Sequence, residues 1–180
     1  LKGYAVNQRI ERIENNVHAL IGKVKEIDLQ IKSSLPPNQG VFYDSQVFDA
    51  YVFVANLVKS AKKSILLIDN YVDETVLQLF TKRNKNVSVN IYTKNITKTL
   101  KQDLEKHNAQ YPKIIVKQFT KAHDRFLIID ETIVYHFGAS LKDLGKKWFA
   151  FSKMDMGAME MIANLKSGDA LSLPKGGDDK

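Results

Sequence analysis

The sequence predicts an α/β domain with an at least partly parallel sheet, preceded by an N-terminal coiled-coil helix. Two patterns point there. From residue 44 to about residue 119, helical and extended segments alternate, and parallel strands require crossovers of that length. Ahead of them, Val6, Ile10, Ile13, Val17, Leu20, Val24, Ile27 and Ile31 recur at alternating steps of four and three. Such a narrow two-in-seven seam suits a coiled coil, whereas a helix packed on its own domain shows a wider stripe.

The coiled-coil segment is expected over 1–33. Its a positions, Ile10, Val17, Val24 and Ile31, are all β-branched, which favours parallel dimers; Ile13 and Ile27 at d pull toward higher order. In a parallel pair Arg9 would face Glu14 and Lys23 would face Asp28 of the other helix. A helix folded back on its own domain is the alternative. Two prolines and a glycine in Ser33–Gly40 stop the helix, so 34–43 is expected to be a linker. Asp44 is placed to cap a helix reaching about Ala61, with Val47, Phe48, Tyr51, Val54, Ala55 and Val58 on its apolar face. A buried strand over 64–69, a helix from Asp73 to about Arg83, a strand over 87–93, a helix capped by Thr97 to about Ala109 and a strand over 113–119 follow. Three more extended runs, 125–129, 133–137 and 147–152, and a helix over 155–165 complete a domain spanning 44–165. The Gly-, Asp- and Lys-rich tail, 166–180, is expected to be disordered.

With 180 residues, 44% of them hydrophobic, the chain can bury one sizeable core. No apolar run of membrane-spanning length occurs and no secretory leader opens the sequence, so a cytoplasmic protein is expected, and a membrane is not the expected partner. Zero cysteines exclude disulfides, thiol nucleophiles and thiolate metal sites. Leu1 in place of Met points to a fragment of a longer polypeptide or an engineered start. The net charge is +7, and most of the excess falls within 35–165, which favours polyanionic partners such as nucleic acid.

Within that basic domain stands His123-Asp124-Arg125-Phe126-Leu127-Ile128-Ile129-Asp130. If 123 and 125 share a strand they point to one face, so an imidazole and a guanidinium can converge on one ligand. Neutral imidazole can attack phosphorus, Arg125 can hold non-bridging oxygens in two-pronged fashion, and a carboxylate can fix a histidine tautomer. Asp130 has the opposite parity and lies past the strand's end, so it needs a turn to rejoin the other two. No metal or other cofactor is required by this chemistry.

The octapeptide resembles the signature of the phospholipase D superfamily, H-x-K-x4-D followed by a Gly-Ser element. Ala61–Tyr71 is similar to that family's opening helix-to-strand segment, and Gly138-Ala139-Ser140 falls about where its Gly-Ser element sits, so the resemblance covers roughly 44–165. It implies an α/β sandwich with a mixed central sheet flanked by helices. It also implies a metal-independent phosphodiesterase of the nuclease-like subgroup, in which two motif copies meet at a twofold axis. One histidine then forms a phosphohistidine and the other protonates the leaving group. On that basis His123, Arg125 and Asp130 are the catalytic candidates, with Asp130 orienting the histidine or steadying the fold, and Ser140 and Lys142 the substrate-binding ones. The chain departs from the family in Arg125 for Lys, which is bulkier and planar, in a longer interval before Gly138, and in Ala139 between Gly138 and Ser140.

Only one motif copy is present, since His18, His107 and His136 lack a cation two residues on. A complete site would then need a second chain, supplied by a homodimer joined through 1–33 and across His123. Lys142, Lys146, Lys147 and Lys153 around Trp148, Phe149 and Phe151 suggest a nucleic-acid groove with stacking rings; the bland alternative is core aromatics flanked by solvated lysines. Besides the enzyme, two other functions fit: a non-catalytic module gripping phosphate or nucleic acid, and an oligomerisation module attached to an upstream domain.

Overall fold

The structure is a computed structural model that describes residues 2–34, 36–155 and 157–170. It falls into two compact units, Leu1–Pro37 and Asn38–Lys180. The first is one helix, α1 (Lys2–Ser34). At 1.5 Å per residue it is about 50 Å long. Its seam residues from Val6 to Ile27 are 46% to 63% exposed. The side chain of Ile31 lies outside what is described.

The second unit contains a sheet of β1 (Gln39–Phe42), β2 (Ser64–Ile68), β3 (Ser88–Thr93), β4 (Ile114–Gln118), β5 (Arg125–Ile129), β6 (Ile133–Phe137) and β7 (Phe149–Met154). Their order is β1-β7-β6-β5-β2-β3-β4. The pairs β2–β3 and β3–β4 are parallel and all others antiparallel, so the sheet is mixed. The helices are α2 (Val47–Ser60), α3 (Glu74–Phe80), α4 (Lys98–Gln110) and α5 (Ala158–Ala170).

Period-two alternation assigns the two faces. Ile65, Leu67, Val89, Ile91, Leu127, Ile129 and Phe137 pack with Val54 and Val58 of α2, Val76 and Phe80 of α3, and Leu100 of α4. On the other face Ile128 and Val134 meet Ala158 and Ile162 of α5, while Ile68 and Tyr92 meet Leu165. A sheet lies between helices, as expected of an α/β sandwich. The expected caps hold for two helices. Asp73 accepts from Thr75 N at 3.1 Å, and Thr97 from Leu100 N at 3.1 Å.

Several boundaries differ from the sequence expectation. The linker over 34–43 contains β1, because Gln39–Phe42 finds a partner in β7, Gly40 lying opposite Phe151. Asp44 does not cap α2; its carboxylate accepts instead from the Trp148 indole, and Gln46 stands at the cap position. Val47 and Phe48, expected on the apolar face of α2, are exposed, and the helix buries Ala50, Val54, Ala55, Leu57 and Val58. The expected tail from 166 is helical to Ala170 in α5, and 171–180 lie outside the described residues.

Arg83 is buried, and among the described residues its partners are carbonyls and no carboxylate. Its Nε donates to Val87 O at 3.1 Å, Nη1 to Phe80 O at 2.8 Å, and Nη2 to Pro112 O and, at 3.4 Å, to Lys113 O. The guanidinium thus ties the end of α3 to the segments leading into β3 and β4. Removing it strands several buried acceptors. Arg83→Met is expected to destabilise the fold by about 2 kcal/mol or more, read as a lower midpoint in urea unfolding; Arg83→Lys, which lacks the fork, should recover only part of the loss.

Candidate functional site

Antiparallel insertion of β5 beside β2 decides which residues meet. Ile68, near the end of β2, lies opposite Phe126 and beside Tyr92 of β3, while Arg125 at the start of β5 lies opposite Phe137 at the end of β6. Residues after β2 (69–71), before β5 (123–124) and after β6 (138–140) therefore share one end of the sheet. The carboxyl ends of the parallel strands lie there too, the usual ligand-binding side of an open α/β sheet.

Asp69 is fully buried at that end. Its Oδ1 accepts from Tyr71 N at 3.0 Å; its Oδ2 accepts from Ser140 Oγ and from Leu141 N, both at 2.8 Å. Burial pushes this carboxyl above its ordinary value, opposed by the amides of Tyr71 and Leu141, the Ser140 hydroxyl and the Arg125 charge. These partners are donors and a cation, so the carboxylate fastens the segment after β6 to the segment after β2. Ser140 spends its hydroxyl proton inside this knot, within 2.9 Å of Tyr71 O as well, and is 3% exposed. Ser140, expected as a substrate ligand, lines the cleft at this end of the sheet with its hydroxyl already engaged by Asp69 and Tyr71.

Arg125 and Lys142 both stand 5.6 Å from the centroid of the Tyr71 ring. Cations near an aromatic face are held by its quadrupole while their remaining donors stay available. Together with Gly138, Ala139, Ser140, Asp143, Lys146, Lys147 and Trp148 they line a cleft of about 570 Å³. Four cations face one carboxylate, Asp143, which pairs with Lys146 at 3.0 Å. At this end of the sheet three buried polar atoms lack a partner among the described residues: Asn70 Oδ1, Thr93 Oγ1 and Arg125 Nε.

His123 is not on the strand. β5 begins at Arg125, and His123 sits exposed in the preceding bend, outside the residues that line the cleft. The parity argument that pointed 123 and 125 to one face does not apply. Two contacts fix the bend. Asn70 Nδ2 donates to Ala122 O at 2.7 Å, and Asp124 lies 3.6 Å from His136 Nε2.

Asp130 is not brought to His123 either. It lies at the far end of β5 with φ of 52°, where its carboxylate accepts from the amides of Lys62 (3.0 Å to each oxygen), Lys63 (2.7 Å) and Ser64 (3.0 Å). Of the two roles expected of Asp130, orienting the histidine or steadying the fold, its contacts here serve the second, and it lies at the opposite end of β5 from Arg125. Partial desolvation pushes its carboxyl up, but the amides of Ser64, Lys63 and Lys62 and the Lys63 charge outweigh that and hold it below the ordinary carboxylate range.

The aromatic groove also changes. Phe149 and Phe151 are core, and Lys153, on β7 opposite Tyr135, is not part of the cleft; Trp148 is exposed within it. Sequence reasoning assigned no site role to Asp69, Asn70, Tyr71 or Thr93. The available signal was positional: polar residues immediately following buried parallel strands.

No family model matches the sequence, and no curated protein matches it. Among solved structures, the fold is similar to NucT from Helicobacter pylori, with a TM-score of 0.50, 16% identity, and coverage of 74% of this chain and 93% of that one. It is also similar to Nuc from Salmonella typhimurium, a phospholipase D family member, with a TM-score of 0.53, 16% identity, and coverage of 72% and 91%. The fold is phospholipase D-like. At such identity the likeness concerns architecture, and the mixed sheet between helices agrees with it.

In this phospholipase D-like frame, Asp130 couples the start of β2 to the end of β5, and its depressed carboxyl sets a pH dependence. A group with a folded pKa below its unfolded value of about 3.9 contributes stability above that value and loses it as pH falls through the folded pKa. Asp130→Ala is expected to cost about 2 to 3 kcal/mol at neutral pH by leaving three amides without their charged acceptor. Chemical denaturation as a function of pH should find the gap between wild type and variant constant near neutrality and shrinking below about pH 4.

Proposed function

We propose that this chain is a metal-independent phosphodiesterase acting on nucleic acid, with a site completed by a second copy of itself. The observation that carries this is the cleft at the ligand-binding end of the sheet, where Arg125, Lys142, Lys146 and Lys147 gather against a single carboxylate. Non-bridging phosphate oxygens suit such a set, Arg125 through its fork and the lysines as point charges. The phospholipase D-like fold and the net charge of +7 support the same chemistry.

His123, two residues before Arg125, supplies the nucleophile. An imidazole nitrogen attacks phosphorus, the phosphorus–nitrogen bond forms as the bond to the leaving oxygen breaks, and that oxygen takes a proton from His123 of the second copy. Water then attacks the phosphohistidine, returning a proton to that second imidazole as the phosphorus–nitrogen bond breaks. Lys142 and Arg125 bind phosphate, Ser140 and Asp69 position the turn, and Asp130 secures β5. A second chain is needed because the chain holds one such histidine. The exposed heptads of α1 would provide it through a parallel coiled coil, with Arg9 facing Glu14 and Lys23 facing Asp28 of the other helix.

One observation favours a different outcome. His123 stands outside the residues lining the cleft, and Arg125 stands over the Tyr71 ring, an arrangement equally suited to gripping phosphate without cutting. Cleavage of DNA and RNA in EDTA separates the two. The enzyme is expected to cut, to form an acid-labile phosphohistidine, and to lose at least about a hundredfold in rate in His123→Ala. Salt-sensitive binding without turnover would establish the gripping module instead.

The dimer has its own test in light scattering of the full chain. A twofold mass is expected, reverting to monomer in Val17→Lys/Val24→Lys, with cleavage lost in parallel. A monomeric wild type would overturn the shared site.

A further inference from the structure

Trp148 is the single tryptophan of the chain and is 67% exposed. Large aromatic rings are highly buried on average, so an indole held in solvent calls for an explanation. This one is not loose. Its Nε1 donates to Asp44 Oδ1 at 2.7 Å, and Tyr43 meets it edge-on with centroids 4.6 Å apart and planes at 85°. Both contacts come from the segment between β1 and α2, so two stretches far apart in sequence fix one ring.

The turn before it is equally constrained. Gly145 has φ of +69°, and a Cβ there would stand 2.5 Å from Gln46 O and Val47 Cα. Only glycine fits that approach. The turn thereby closes against the start of α2, the same segment that holds the indole. Lys146, Lys147 and Trp148 follow directly, and all three line the cleft with Arg125 and Lys142.

From this geometry we infer that the cleft takes an unpaired nucleic-acid strand, one base of which stacks on Trp148 while the lysines and Arg125 hold its phosphates. The inference rests on the proposed occupancy of the cleft by a phosphodiester and specifies the form of the polymer. A base in a duplex already has both faces covered, whereas an unpaired base has a face to offer. A ring fixed in advance by Asp44 and Tyr43 loses little freedom on binding. Tyr71 plays a different part, since Arg125 and Lys142 already stand over its ring.

The test uses the full chain carrying His123→Ala, so that strands stay intact, and the fluorescence of its one tryptophan. Four 20-mers are compared at one salt concentration: oligo-dT, oligo-U, an abasic strand of equal charge, and a duplex. Oligo-dT, oligo-U or both are expected to quench Trp148 and to bind more tightly than the abasic strand and the duplex. Trp148→Ala, followed by anisotropy of labelled strands, is expected to lower the ratio of base-bearing to abasic affinity by roughly 5- to 150-fold, the range for loss of one stacked base. Trp148→Phe should retain much of that ratio and guards against a folding defect.

Equal binding of abasic and base-bearing strands, a ratio unchanged in Trp148→Ala, or duplex binding as tight as oligo-dT would overturn the inference and leave phosphodiester binding standing. Failure to bind any of the four would overturn both.

Discussion

The placement of β5 antiparallel against β2, fastened near both ends, is the constraint on which the rest of the structure depends. At one end the Asp130 carboxylate gathers three successive amides at the start of β2. At the other, the Asp69 carboxylate at the end of β2 gathers the turn that follows β6, the neighbour of β5. Two carboxylates thus fix the register of the central strands, each satisfied mainly by backbone donors. Arg125 reaches the cleft because it is the first residue of a strand held in this way. Its position is inherited from the sheet.

The two carboxylates differ in a manner that follows from their surroundings. Asp69 is fully buried, and desolvation dominates its energetics despite its donors. Asp130 is only partly buried, so the same kind of amide cradle prevails and lowers its proton affinity. Burying an ionised carboxylate is costly unless its lone pairs are met, and the Asp69 site meets them with two amides, a hydroxyl and a nearby guanidinium. The cation in that set, Arg125, also lines the cleft. The electrostatics of the core and of the candidate site are therefore coupled through Arg125.

Much of the fold was legible because buried strands and capped helices write themselves locally. Ile65–Ile68, Val89–Tyr92 and Leu127–Ile129 read as strands from apolar runs, and Asp73 and Thr97 announced their helices. β1 did not, because four residues after a proline pair, alternately exposed and half-buried, become a strand only when β7 lies alongside. The candidate site was legible in part. Arg125 and Lys142 could be named from sequence, but the end of the strand on which Asp130 falls, the bend that takes His123 off β5, and the burial of Ser140 are properties of tertiary packing. The exposure of Trp148 beside two buried phenylalanines could not be read from a string in which all three look alike.

The edge strand β1 is joined to its neighbour across almost the whole domain, Gln39 lying opposite Ser152. Contacts of such long separation are slow to form, because the loop they close must be ordered first. During synthesis the long helix at the front of the chain, whose hydrogen bonds are all local, can form well before β7 has emerged to receive β1. The sheet is therefore completed last at that edge, and β1 waits without its neighbour until the residues of β7 have been made.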